Sequence, residues 1–117
     1  MALHTNLPIY KVAYDLLNVI TDLAKNMPRD LKASIGGKLC DECVEIVTLI
    51  FRANVATHKV VHLTDLIERL QVAELLLRLS MDKRLISARQ YANASFFTQS
   101  VGKQAGGWRR NATSPAA

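Results

Sequence analysis

The chain has 117 residues, half of them hydrophobic, 21% charged and only 6% aromatic, with a formal net charge of +5 and an isoelectric point near 9.5. That length supports one domain with one core, and the mixture is globular rather than fibrous or disordered. No apolar run approaches the ~20 residues of a membrane span, and the opening MALHTNLPIYK lacks the charged region and apolar stretch of a secretory leader. The sequence therefore reads as a soluble, cytoplasmic protein with no membrane partner, whose two cysteines stay reduced.

Leu7-Pro8 opens the first predicted helix, with Asn6 as a plausible N-cap and proline tolerated in the first turn. Apolar residues then recur at helical spacing from Ile9 through Val12, Ala13, Leu16, Val19, Ile20 and Leu23 to Ala24, and Met27-Pro28 ends the pattern. A second helix runs from about Arg29–Leu31 to Asn54, its apolar pattern carried by Leu31, Ile35, Leu39, Val44, Val47 and Phe51. Gly36-Gly37 is its weak spot, costing up to about 1 kcal/mol per glycine, and predicts a kink or close packing on another helix. After a short connection at 54–58, a third helix is expected over about Lys59–Leu79, and Ser80–Ile86 makes a tight link. Ser87 is placed to cap a fourth helix over about Ala88–Ala105, ended by Gly106-Gly107. Residues 1–110 read as the folded domain, and NATSPAA at 111–117 as a disordered tail.

No stretch alternates with period two, and there is no internal repeat. Four helices with short connections predict an all-α, antiparallel up-down-up-down four-helix bundle. The second and third helices carry more apolar surface than one small bundle needs. In CVEIVTLIF (43–51) alone, six apolar residues cover over half the circumference, against the stripe of about 100° that suffices for a surface helix. Ile46, Leu49 and Ile50, with Leu76 on the third helix, are accordingly assigned to contacts between subunits of a homo-oligomer.

Cys40 and Cys43, followed by His58 and His62, give C-x2-C-x14-H-x3-H, close to zinc-finger spacing. A finger holds its cysteines on a tight hairpin, whereas these sit inside a long helical pattern. They read instead as small, partly buried side chains, with no metal and no cofactor expected. Redox chemistry would need the βαβ setting of such motifs. Asp41, Glu42 and Glu45 read as a solvated acidic edge paired with nearby cations. No glycine-rich phosphate loop, nucleophile elbow or Ser/His/Asp arrangement is present, so catalysis is not expected.

The basic residues point to a polyanionic partner. Arg29, Lys32 and Lys38 lie along the start of the second helix, Arg78, Lys83, Arg84 and Arg89 around the link between the third and fourth, and Lys103, Arg109 and Arg110 near the C-terminal end. Arg78 and Lys103 also suit the negative end of a helix dipole. Trp108 fits equally a stacking contact with a base or an anchor for the end of the bundle.

The stretches NMPRDLKASIGGKL (26–39), ELLLRLSMDKRLISARQY (74–91) and VGKQAGGWRR (101–110) resemble the accessory variability determinant, or Avd, family, and the resemblance extends over about Ile9–Arg110. It implies a four-helix bundle that assembles as a pentameric barrel with a basic surface. It further implies a non-catalytic role beside the reverse transcriptase of a diversity-generating retroelement. There the pentamer would bind the enzyme and the template RNA, with the cDNA as a further candidate ligand, and so support error-prone cDNA synthesis and mutagenic retrohoming. The alternatives are a bundle of the type encoded in intervening sequences of 23S ribosomal RNA genes, and an interaction scaffold that binds no nucleic acid. Gly106, Gly107 and Trp108 read as structural.

Overall fold

The computed structural model describes residues 3–113, and among them only helices occur. A single 3-10 turn, His4–Asn6, leads into α1 (Pro8–Lys25). A short α2 (Arg29–Leu31) passes through a π-helical turn, Lys32–Gly36, into α3 (Gly37–Val55). α4 (Val60–Asp82) and α5 (Ala88–Thr113) complete the chain. α1 packs on α3 and α5, and α4 packs on the same two helices, so the long helices stand at the corners of a square in up-down-up-down order. The rod measures 51 × 20 × 20 Å.

Each long helix turns a 3-4 repeat inward, the seam of a bundle with coiled-coil-like packing. Ile9, Ala13, Leu16, Ile20 and Leu23 form it on α1, and Leu39, Cys43, Ile46, Ile50 and Ala53 on α3. α4 supplies Leu63, Leu66, Leu70, Ala73, Leu77 and Ser80, and α5 the smaller set Ala94, Thr98, Val101 and Ala105. The two buried hydroxyls are satisfied locally. Ser80 Oγ donates to the Leu76 carbonyl at 2.7 Å and Thr98 Oγ1 to the Ser95 carbonyl at 3.1 Å.

The ends of the helices explain where the boundaries fall. Pro8 occupies the first turn of α1, but Asn6 is not its cap: Asn6 belongs to the preceding 3-10 turn, and Leu7 stands at the N-cap without a side-chain bond. The weak spot at Gly36-Gly37 becomes both a π-helical turn and a close approach. A Cβ on Gly36 would come within 3.2 Å of Ala24 Cβ and 3.3 Å of Met27 Sδ. Lys59 closes α3 by donating its ammonium protons to the carbonyls of Ala53, Asn54 and Ala56 at 2.9, 3.1 and 2.9 Å, groups that no intrahelical donor reaches. Ser87 caps α5 in a reciprocal box. Its Oγ accepts from the Gln90 N–H at 3.0 Å while Gln90 Oε1 accepts from the Ser87 N–H at 2.8 Å.

α5 does not stop at Gly106-Gly107. It continues through both glycines and through Asn111–Thr113, which the sequence suggested as tail. Trp108 explains the continuation: it extends the inward repeat by one step after Ala105 and packs, half-buried, against the core. That anchor outweighs the weak helix preference of two glycines. Residues 114–117 lie outside the described residues.

Candidate nucleic-acid interface

The up-down topology collects the predicted basic residues at two ends. The end of α1, the start of α2, the end of α4 and the start of α5 share one pole, so Arg29, Lys32, Arg78, Lys83, Arg84 and Arg89 gather there, all exposed. Lys103, Arg109 and Arg110 lie on α5 toward the opposite pole.

The cations of the first pole differ in how far they are committed. Arg78 Nε donates to Asp82 Oδ1 at 3.2 Å, and this bond, reinforced by Tyr91, pushes the guanidinium's pKa further up. Arg78 stays exposed, in a surface pair of the kind that holds its side chain only weakly. Arg29, Lys32, Lys83, Arg84 and Arg89 have no ion-pair partner among the described residues. Arg84 is positioned by its backbone. The Leu85 N–H bonds to the Ser80 carbonyl at 2.8 Å and the Arg84 N–H to the Met81 carbonyl at 2.9 Å, the Schellman pattern for ending a helix. Arg84 occupies its left-handed position with φ 60°, the one non-glycine residue with positive φ among the described residues.

The charge is also divided along the sequence. Asp82 is the last acidic residue. Residues 83–117 hold six of the fifteen lysines and arginines and none of the ten acids, so this segment carries +6 and the other 82 residues −1. The acids of α3 are also more structured than a solvated edge. Asp41 is exposed and Glu45 approaches Arg52 at 3.6 Å. Glu42, however, is buried, and Arg69 Nη1 donates to both its oxygens at 3.0 and 3.2 Å, tying α3 to α4. Long-range pairing of this kind has no signal in local spacing.

The assignment of CVEIVTLIF to subunit contact is inverted by burial. Ile46 and Ile50 are completely buried and Leu49 is 3% exposed, all within the chain's own core, while Leu76 is half-buried against it. Val44 and Phe51, read as part of the bundle's own pattern, are instead exposed, at 50% and 41%. The inward repeat of α3 is Cys43, Ile46 and Ile50; counting apolar residues around the circumference, without choosing that register, exchanged the two faces.

The cysteines and histidines do not converge. Cys43 lies in the middle of the rod, and the rest of α3 separates it from His58 by about 18 Å of helical rise. Burial, with lesser effects of Cys40 and Glu42, pushes the Cys43 thiol up to about 12, and burial also raises Cys40. Both thiols are held in the protonated form, the opposite of what metal ligation or nucleophilic attack requires.

A family model described as bAvd-like matches residues 7–112. No curated protein and no solved structure matches the chain.

Proposed function

Because the chain belongs to the bAvd-like family, an accessory type of protein, we propose that it serves a diversity-generating retroelement by binding the reverse transcriptase and the template RNA. In this reading it acts without catalysis of its own, supports mutagenic cDNA synthesis and retrohoming, and works in the cytoplasm as a homo-oligomer, five-membered as the family resemblance implies. The observation that carries it is the separation of charge. An acid-free segment of +6, together with unpaired cations at one pole, is the electrostatic footprint of a phosphate-binding protein. The cations assigned to the partners are Arg29, Lys32, Lys83, Arg84 and Arg89 at that pole, and Lys103, Arg109 and Arg110 along α5. Arg78 belongs with them, and its surface pair with Asp82 is the one that phosphate would have to displace.

The test is co-purification of the chain with the reverse transcriptase encoded beside it, with and without template RNA, over a salt series. Retention of both, with RNA affinity falling steeply as salt rises, supports the reading. Absence of RNA at physiological salt leaves an interaction scaffold. Retention of RNA without the enzyme would favour a role of the ribosomal intervening-sequence kind.

A further inference from the structure

Burial inside the chain's own core removes Ile46, Leu49 and Ile50 from any subunit contact, so an assembly must use other residues. The outer faces of α4 and α5 supply them. Opposite its core seam, α4 presents one residue every seventh position: Val61, Glu68, Leu75 and Asp82. α5 does the same with Arg89, Phe96, Lys103 and Arg110. All eight are exposed, and the apolar members strongly so, Val61 at 65%, Leu75 at 66% and Phe96 at 70%. Exposure of a single apolar side chain is ordinary and argues nothing. The order of residues along the two lines carries the argument.

α4 and α5 are antiparallel neighbours, and a Cβ on Gly102 of α5 would stand 3.1 Å from Leu70 Cδ2 of α4, which sets the two residues side by side to about one helical turn. Counting outward from that pair, Asp82 falls beside Arg89, Leu75 beside Phe96, and Glu68 beside Lys103, each one residue from an even count. Acid meets base, apolar meets apolar, and acid meets base again; the fourth pair, Val61 and Arg110 at the far end, is apolar against cation and adds no complementarity. Within one chain the lines point outward from different corners and cannot meet; neither Glu68 nor Lys103 forms an ion pair among the described residues. The flanking positions on α5, Ala92, Ser100, Gly106 and Gly107, are small enough for a second helix to lie close.

We propose that the α4 line of one copy docks on the α5 line of the next, antiparallel, with Leu75 against Phe96 at the centre and Glu68–Lys103 and Asp82–Arg89 on either side. This deepens the homo-oligomer reading and rests on it. Two consequences follow from symmetry. The lines match without any shift along the bundle axis, so successive copies are related by rotation alone, and a heterologous contact of that kind closes into a ring instead of a filament. The two lines leave adjacent corners of a square, at roughly a right angle, which suits a ring of about four or five copies. Every copy then points the same way, Arg89 and Lys103 turn from the phosphate contacts to the contact between copies, and the cations Arg29, Lys32, Lys83 and Arg84 repeat around one face of the ring.

Charge exchange tests the pairing. The parent chain, Glu68→Lys, Lys103→Glu and the double variant are compared by light scattering after size exclusion, with thermal unfolding by circular dichroism as the folding control. The parent is expected at several times 13.0 kDa. Like charges facing each other across the contact oppose docking, so each single variant is expected to fall several-fold in mass toward one chain while keeping the parent's helicity. The double variant is expected to recover the parental mass. Two further variants, Leu75→Glu and Phe96→Glu, are expected to dissociate the assembly without rescue by each other. A parent that is monomeric overturns the homo-oligomer reading itself. An oligomeric parent whose single variants keep their mass overturns this contact and leaves that reading standing. Dissociated single variants without recovery in the double variant overturn the pairing of Glu68 with Lys103.

Discussion

α3 and α5 stand at opposite corners of the bundle and contribute equally regular seams, yet they are built from different material. α3 fills the core with Leu39, Cys43, Ile46 and Ile50 and still leaves Val44, Phe51 and Val55 outside. α5 offers Ala94, Thr98, Val101 and Ala105, and its outer surface is mostly amide, hydroxyl and cation, with Phe96 the large apolar side chain exposed among them. The more hydrophobic helix is the shorter of the two, and the polar, glycine-containing one is the longest in the chain. Apolar content therefore does not measure how firmly a helix is held. α3 is held by volume and α5 by closeness, and the two should fail in opposite ways.

Deletion should break α3. Ile46 is completely buried, and Ile46→Ala is expected to cost about 2–5 kcal/mol through lost burial and the cavity left behind. Enlargement should break α5. Ala94 is also completely buried, in a seam of small residues, and Ala94→Leu is expected to cost about 1–3 kcal/mol by overpacking. Urea unfolding of both variants measures the two effects. If Ala94→Leu is tolerated without loss, α5 has slack, and closeness is not what holds it.

Cys43 gives the seam of α3 a pH dependence that the seam of α5, which has no ionisable residue, cannot have. Its thiol is pushed from the ordinary value of 9.0 up to about 12 by burial first, then by Cys40 and Glu42. Above pH 9 the unfolded chain gives up this proton while the folded chain keeps it. The unfolded state then binds fewer protons, and stability falls as pH rises, by about 1.4 kcal/mol per unit between the two values. Below pH 9 the contribution is complete and constant. Cys43→Ala should flatten the stability profile between pH 9 and 10.5 relative to the parent, and a difference profile with no slope there would show that the thiol is solvated in the fold.

The glycines sharpen the same contrast. Gly36, at the π-helical turn before α3, lies where a Cβ would press on Ala24 Cβ, an atom fixed to the α1 backbone. Gly36→Ala is expected to destabilise by about 1 kcal/mol in spite of alanine's better helix preference. At Gly107 in α5 a Cβ would meet only the tip of the Arg110 side chain at 3.7 Å. Gly107→Ala should stabilise by about 0.5–1 kcal/mol, the usual cost of a glycine in a helix interior. Thermal unfolding of the pair, read as opposite shifts in Tm, decides the matter.

These two glycine sites also mark what the sequence could and could not disclose. Period and punctuation located all the long helices, the Pro8 start, the Ser87 cap and the close packing at Gly36. The same punctuation failed at Gly106-Gly107, because a tertiary contact, Trp108 on the core, overrode local preference. In CVEIVTLIF the apolar residues were visible but the register was not: Cys43, Ile46 and Ile50 face the core only because Leu39 and Ala53 continue their 3-4 step. The basic residues were visible as separate groups along the chain. Their union at one pole needs the topology, and the pairing of Glu42 with Arg69 needs the packed helices, whereas Arg78 and Asp82 stand four residues apart on one helix, a spacing legible in the sequence.

The smallest expected effect bears most directly on function. Arg84 ends α4 in a left-handed conformation that suits glycine and that costs an ordinary side chain about 1 kcal/mol. Arg84→Gly removes that strain but gives the unfolded chain extra freedom worth about half as much, so a net gain near 0.5 kcal/mol is expected, a rise of a few degrees in Tm. The same change removes one cation from a pole where Lys83 and Arg89 are also unpaired. If that pole contacts phosphate, Arg84→Gly should elute from RNA at lower salt than the parent, with a salt slope shallower by about one. A more stable protein that binds less well would show that the strain is kept for the arginine. A more stable protein with unchanged RNA retention would make Arg84 a local imperfection and shift the phosphate contacts to Lys103, Arg109 and Arg110 at the other end of α5.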